Sequence, residues 1–160
     1  MIVWMIVALG AVVGLAAVAA AVFMAAADGG LAELRPRRDP ESWLAERADE
    51  PYCYLTTRGR VTGDPHEIEI WFAVRGATVY LLSGGGTEAD WVRNLRAEPR
   101  VRLRLGDETR RGSARFVEDA AEDHRARELL AAKYQGWEPG EPLSEWAESA
   151  LLVAIDLDRG

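Results

Sequence analysis

Hydrophobic and polar residues follow three regimes along this chain. The first 27 residues, MIVWMIVALGAVVGLAAVAAAVFMAAA, contain no charged side chain. A helix rises ~1.5 Å per residue, so the run exceeds the ~20 residues that cross a bilayer's hydrocarbon core and predicts a transmembrane helix over residues 1–27. A cleaved secretory signal fits less well: no basic residue precedes the run, and the run outlasts the ~7–15 apolar residues of a signal core. Arg35, Arg37 and Arg38 follow the span. The positive-inside bias therefore predicts a single-pass protein of the cell membrane with its domain on the cytoplasmic side. Residues 28–51, DGGLAELRPRRDPESWLAERADEP, predict a polar linker in which an amphipathic piece near Glu41–Ala48 docks Trp43 and Leu44 on the body.

From Tyr52 onward the period becomes two. Ile68, Ile70, Phe72 and Val74 alternate with Glu67, Glu69, Trp71 and Ala73, which predicts one strand with a buried face. Similar runs occur at Thr78–Ser83, Arg100–Leu105, Thr109–Val117 and Ala150–Leu157, and VRGAT and LGDET supply tight antiparallel turns. Helical spacing interrupts them twice. TEADWVRNLRAEP places Trp91 and Leu95 at i and i+4 before Pro99 stops it, and EDAAEDHRARELLAAKY opens with acidic residues that suit a helix N-terminus. About six short strands and two helices within residues 52–160 predict a mainly β (α+β) domain, a small antiparallel barrel with flanking helices; a meander or sandwich stays open. So small a barrel fills its interior with side chains, and any ligand must lie outside, in a groove between strands and helix or at a subunit contact.

Composition narrows the function. Lys and Arg total 19 against 26 Asp and Glu, a net charge of −7, so no global positive field exists to hold nucleic acid. The one cysteine, Cys53, has no disulfide partner and belongs to no metal-ligand pattern; between Tyr52 and Tyr54 it predicts a buried thiol. No G-x-S-x-G or Ser/His/Asp arrangement supports acyl transfer. Glu67 and Glu69 fall on the outward phase of a strand, a solvated face rather than an acid–base pair.

Two stretches carry more donors than their turns require. LTTRGRVTGDPHEIEIWF holds Arg58, Arg60, Thr62, Gly63 and His66 in one hairpin turn, where Gly59 and Gly63 permit positive φ and Thr62 and Asp64 cap the turn. In LLSGGGTEADWVRNL a strand ends in three glycines and enters a helix, leaving backbone N–H groups and a helix N-terminus to cradle phosphate or the carbonyls of a flat heterocycle. Together they point to one ligand with an anionic tail and a planar polar head.

The combination T-T-x-G-R-x-[ST]-G, glycine loop and W-x-x-N-L resembles the deazaflavin-dependent nitroreductase-like oxidoreductases, relatives of the pyridoxamine phosphate oxidases, over most of Tyr52 to about Leu157. The resemblance implies a six-stranded split β-barrel that binds reduced coenzyme F-420 and passes a hydride to an acceptor. The family's phosphate-holding turn maps onto Arg58, Arg60, Thr62 and Gly63, with Thr57 in the same motif. Its glycine loop, which meets the deazaflavin head, maps onto Ser83, Gly84, Gly85 and Gly86; Trp91 and Asn94 match the helix that closes the site. Val61 stands where many members carry a second basic residue, His66 where they carry an arginine, and Gly84 where some carry a lysine. This thinner basic set keeps FMN or heme open as the cofactor, with His66 a further donor to the phosphate as neutral imidazole. Tyr134, in AAKYQGW, is the candidate catalytic proton donor, because relatives place tyrosines along the acceptor pocket; a helix-end aromatic beside Trp137 is its structural alternative. The implied function is a membrane-anchored, cytoplasm-facing oxidoreductase acting on a quinone or other lipophilic acceptor, in a groove lined by Trp91, Tyr134 and Trp137. The alternatives are an FMN- or heme-binding split barrel and a tethered, non-catalytic interaction module.

Overall fold

The computed structural model describes residues 38–159. The predicted span over residues 1–27 and the first part of the linker lie outside the described residues, among which no helix is long and apolar enough to cross a membrane. Helix α1 (Pro40–Ala45) begins at the Asp39 cap, whose carboxylate accepts from the Ser42 backbone N–H at 3.0 Å. Trp43 and Leu44 are fully buried, as the amphipathic pattern predicted. The Trp43 indole N–H donates to Glu108 at 3.0 Å, and Lys133 Nζ donates to the Ala48 and Glu50 carbonyls at 2.7 Å each. Packing therefore starts well before Tyr52, and the latter part of the expected linker is strapped onto the body.

The body continues as β1 (Cys53–Arg58), β2 (Pro65–Ile70), β3 (Ala73–Arg75), β4 (Thr78–Ser83), a 3-10 turn (Gly86–Glu88), α2 (Asp90–Ala97), β5 (Arg100–Leu105), β6 (Glu108–Phe116), α3 (Ala120–Gln135), α4 (Glu145–Ser149) and β7 (Leu151–Leu157). All seven strands join one antiparallel sheet in the order β2-β1-β5-β6-β7-β4-β3. The fold is mainly β with flanking helices, but it has seven strands where six were expected. The strand predicted across Glu67–Val74 is two strands lying at opposite edges of the sheet: β2 pairs with β1 and β3 with β4. Only Trp71 and Phe72 connect them. Because a residue spans at most ~3.6 Å, the sheet must curl until its edges nearly meet.

That seam has its own hydrogen bonding. The Phe72 backbone N–H donates to the Tyr134 hydroxyl oxygen at 3.0 Å, and the hydroxyl lies 3.1 Å from both the Phe72 and Pro51 carbonyl oxygens. One phenol on α3 thus replaces the strand partner that Phe72 lacks. Opposite the seam, β6 pairs through residues 108–113 with β5 and through 112–116 with β7. Gly112 sits at the changeover, where a Cβ would stand 2.8 Å from the Asp156 carbonyl oxygen, so the tight bend admits glycine alone.

Leu55, Phe72, Val79, Leu81, Leu103, Leu105, Val153 and Ile155 fill the interior of the curl together with Cys53, Leu95 and Trp43. Burial pushes the Cys53 thiol up to about 12, which makes it a neutral packing group. On the other face of β4 and β7, Tyr80, Leu82 and Leu152 pack with Ala126 and Leu130 of α3. Those two strands are therefore covered on both sides, while β1, β5 and the start of β6 show their outer face to solvent.

Candidate functional site

The β1–β2 turn is ordered by its own backbone. Gly59 N–H donates to the Asp64 carbonyl at 2.8 Å, Gly63 N–H to the Gly59 carbonyl at 2.8 Å, and Asp64 N–H to Thr62 Oγ1 at 3.2 Å. Gly63 needs its φ of 78°, and the His66 ring lies so close over Gly59 that a Cβ there would meet Nε2 at 2.7 Å. Arg60 leaves this turn toward α2. Its backbone N–H and Nη1 both donate to Asn94 Oδ1 at 3.1 Å, and Nη2 donates to Asp90 Oδ1 at 2.9 Å. Asn94 Nδ2 in turn donates to Thr57 Oγ1 at 3.3 Å.

Thr57 and Asn94 are 2% and 5% exposed, so their polar atoms need these partners. Asn94 is the hub: one amide fixes a strand residue, a turn backbone and a guanidinium. Asp90, in the first turn of α2, complements both the helix N-terminus and Arg60. Its side chain is 81% exposed, so this ion pair exchanges readily with solvent or with an incoming anion.

Between turn and helix lies a depression of about 530 Å³, lined among others by Thr57, Arg60, Thr62, His66, Trp91 and Asn94. Six residues singled out in the sequence meet there. Arg58 and Gly63 do not: they line a second depression of about 400 Å³ with Arg100, Arg102 and Arg111, which meets the first at Thr57. The basic turn is thus divided between two surfaces.

The glycine loop lies apart from the lining of either depression. Ser83, buried at the end of β4, donates its hydroxyl to the Gly86 carbonyl at 3.1 Å, and Gly86 takes a φ of 56° into the 3-10 turn that leads to α2. Gly84 lies against Trp146 of α4, where a Cβ would come within 3.3 Å of the indole nitrogen. Trp146 meets Trp71 edge-on at 5.7 Å, and Trp71 stacks on Tyr134 at 4.6 Å with the rings 4° from parallel. Tyr134 therefore joins an aromatic group beside the glycine loop rather than the Arg60 depression. Burial holds its pKa above the usual phenol value, so it is protonated at neutral pH, with its hydroxyl engaged at the seam. Trp137 lies elsewhere, donating to the Glu141 carbonyl at 2.8 Å and lining a hollow with Leu129 and Arg125.

Trp71 and Trp146 were missed in the sequence. Trp71 left a signal, a large aromatic on the outward phase of a strand, and it is 39% exposed. Trp146 left none, since its helix has five residues and reaches the loop only through the tertiary fold.

Solved structures share this architecture. A heme storage protein from Vibrio cholerae matches with a TM-score of 0.57 at 19% identity, over 76% of this chain and 92% of its own. A protein assigned as a pyridoxamine 5'-phosphate oxidase from Listeria innocua matches with a TM-score of 0.56 at 24% identity, over 75% and 94%. An F420-H2 dependent reductase matches with a TM-score of 0.50 at 17% identity, over 66% and 93%. At these identities the likeness is one of fold alone. Residues 38–141, the greater part of the chain, match the model of the F420H2-dependent quinone reductase family, and the chain belongs to that family of deazaflavin-dependent oxidoreductases.

Proposed function

We propose that the depression between the β1–β2 turn and α2 holds the reduced deazaflavin coenzyme, and that the aromatic group Trp71, Tyr134 and Trp146 receives a flat, lipophilic, quinone-like acceptor. One observation carries the reading: Arg60, fixed by Asn94, stands at a depression that Trp91 also lines, a cation beside an aromatic wall. The Arg60 guanidinium and the Trp91 ring suit a ligand with an anionic arm and a planar ring; Asp64, Glu67 and Asp90 line the same depression and restrict the arm to the Arg60 side. The guanidinium, the Thr62 hydroxyl and the His66 imidazole are donors for the arm, and Trp91 offers a stacking face for the ring. The volume falls within the ~300–1,000 Å³ usual for cofactor sites.

When bound, the reduced deazaflavin supplies the hydride. The chain's own residues bind, orient and exclude water. Asn94 keeps Arg60 at the depression, so little ordering remains to be done on binding; exchange of the exposed Asp90 carboxylate for the ligand's anion frees Nη2. The glycine loop and α2 are contiguous in the chain and join the two places, since Gly84 touches Trp146 while Trp91 and Asn94 line the depression. Glycines at 84–86 place no side chain over the loop, so a planar ring reaching out of the depression can lie along it in direct contact with the acceptor, as hydride transfer requires. The Trp71–Tyr134 stack gives a flat acceptor an apolar surface, held in place because the Tyr134 hydroxyl is pinned to the seam.

The uninterrupted apolar run over residues 1–27 supports the further proposal that the enzyme is anchored in the cell membrane with this domain on the cytoplasmic side. Anchoring raises the local concentration of acceptors dissolved in the bilayer. Steady-state assays with reduced F-420 test the reading: menaquinone analogues turn over faster than small polar nitro compounds, and Trp71→Ala raises KM for the quinone by roughly tenfold, the loss of ~1–1.5 kcal/mol of stacking. Equal rates with both acceptor classes, unchanged in Trp71→Ala, would contradict it. For the anchor, the full-length protein stays with washed membranes after carbonate extraction, and its domain is digested only after cells are opened. A shortened product in the medium would contradict that.

A further inference from the structure

The second depression raises a separate question. Four arginines, Arg58, Arg100, Arg102 and Arg111, line about 400 Å³ on the outer face of β1, β5 and β6, together with Thr56 and no carboxylate. Arg102 stands directly opposite Arg111 across the β5–β6 ladder and opposite Thr56 across β1–β5. Like charges directly opposite in an antiparallel pair destabilise a sheet. The chain has 26 acidic residues and could relieve this repulsion with one substitution, yet its net charge is −7 and this patch stays positive. Of the four, Arg100 is paired with Asp158, at 2.6 Å between Nη2 and Oδ2; among the described residues no carboxylate forms a salt bridge with Arg58, Arg102 or Arg111. Other arginines of the same surface do have partners: Arg104 reaches Glu67 at 2.9 Å, and Arg115 reaches Asp156 at 2.7 Å and Glu122 at 2.6 Å. Glu67 belongs to the same cross-strand row, beyond Thr56 from Arg102, but it pairs with Arg104, so Arg58, Arg102 and Arg111 are the arginines of this patch without a carboxylate partner among the described residues.

We infer that this face is a polyanion-binding site, adjoining the Arg60 depression at Thr57 but built on other arginines, for a ligand bearing two or more closely spaced phosphate or carboxylate groups. Cross-strand Cα atoms lie ~4.5–5.5 Å apart, so the Arg102 and Arg111 guanidiniums can converge on one anionic group or bracket two neighbours. Guanidinium is the side chain best suited to such groups, because its fork donates two parallel hydrogen bonds. Arg58 and Arg100 line the same depression beside this pair, while the Thr56 hydroxyl donates to Glu67 at 3.5 Å. The ladder repulsion is then the unliganded state of a site whose counter-charge arrives with the ligand. The inference does not depend on which coenzyme fills the other depression.

Calorimetric titration of the full-length protein with tripolyphosphate tests it. The double variant Arg102→Gln, Arg111→Gln binds tripolyphosphate at least tenfold more weakly than the wild type, yet without ligand it unfolds at higher denaturant, because the repulsion is gone. A measurement on the wild type alone stands beside it: tripolyphosphate protects Arg102 and Arg111 from phenylglyoxal, mapped by mass spectrometry. Competition then separates the sources. Displacement by hexaglutamate assigns the site to soluble polycarboxylates, and displacement by phosphatidylglycerol vesicles but not phosphatidylcholine vesicles assigns it to lipid headgroups. Displacement by neither assigns it to free polyphosphates. Absence of both binding and protection overturns the inference, and so does tripolyphosphate binding that Arg60→Ala abolishes and the double variant leaves intact.

Discussion

Two arginine environments flank β1, and they are built in opposite ways. Arg60 is held by three hydrogen bonds to Asn94 and Asp90, whereas Arg102 faces Arg111 across a ladder and neither forms a salt bridge with a carboxylate among the described residues. In the first, the protein spends its own acceptors to hold the cation before a ligand comes. In the second, the cations repel one another, and free energy is left for a ligand to recover. Pre-organisation favours tight, oriented binding of one molecule; an unsatisfied patch favours any anion of suitable spacing. The contrast suits a site that must aim a coenzyme and a second face that need only hold charge.

Removing the hub breaks the first environment most severely. Asn94→Ala leaves the buried Thr57 hydroxyl and the Arg60 backbone N–H without their partner, so it lowers unfolding free energy by about 2–4 kcal/mol and weakens coenzyme binding at least tenfold. Denaturant titration and a binding isotherm check the two effects. Tyr134→Phe comes next, at about 1–3 kcal/mol, because the Phe72 N–H at the seam loses its acceptor. Lower stability with turnover otherwise intact assigns the phenol to the seam; slower turnover at unchanged stability would instead assign it the proton transfer predicted from its sequence position.

The second environment responds with the opposite sign. Arg102→Gln alone stabilises the unliganded protein by about 0.2–1 kcal/mol, the scale of a directly opposed like-charge pair, and the gain shrinks as salt is added. A loss of stability would mean that an unseen acid satisfies Arg102. Asp90→Asn gives the smallest change. An exposed ion pair contributes about 0–1 kcal/mol, so stability barely moves, while affinity for the anionic coenzyme rises a few-fold because Arg60 no longer has a competing carboxylate. Reduced affinity would show that Asp90 positions Arg60 rather than occupying it.

Strand positions and both longer helices were legible because burial imposes period two or 3.6 on short stretches. The break between β2 and β3 was not. Glu67 to Val74 keeps one alternation in phase although its two halves lie at opposite edges of the sheet, so only the topology distinguishes one strand from two. The candidate site was legible in the same uneven way. Arg60 and Asn94 could be picked out by motif, and they meet. Arg58 belongs to the same motif but ends β1 on the sheet's outer face, while Arg60, two residues later, has turned toward α2. A turn's path decides that division, and residue identity does not encode it locally. Tyr134 could be singled out only as a candidate proton donor, and its partners at the seam could not be read, because Phe72 lies 62 residues away and Pro51 lies 83.

Titration of the full-length chain with F-420, FMN and heme, followed by tryptophan fluorescence, decides whether the Arg60 depression takes the deazaflavin. Trp91 lines the proposed coenzyme depression and serves as the reporter. Saturable quenching by F-420 that weakens at least tenfold in Asn94→Ala is expected, with FMN and heme binding more weakly. Tight binding of FMN or heme with no response to F-420 would contradict it.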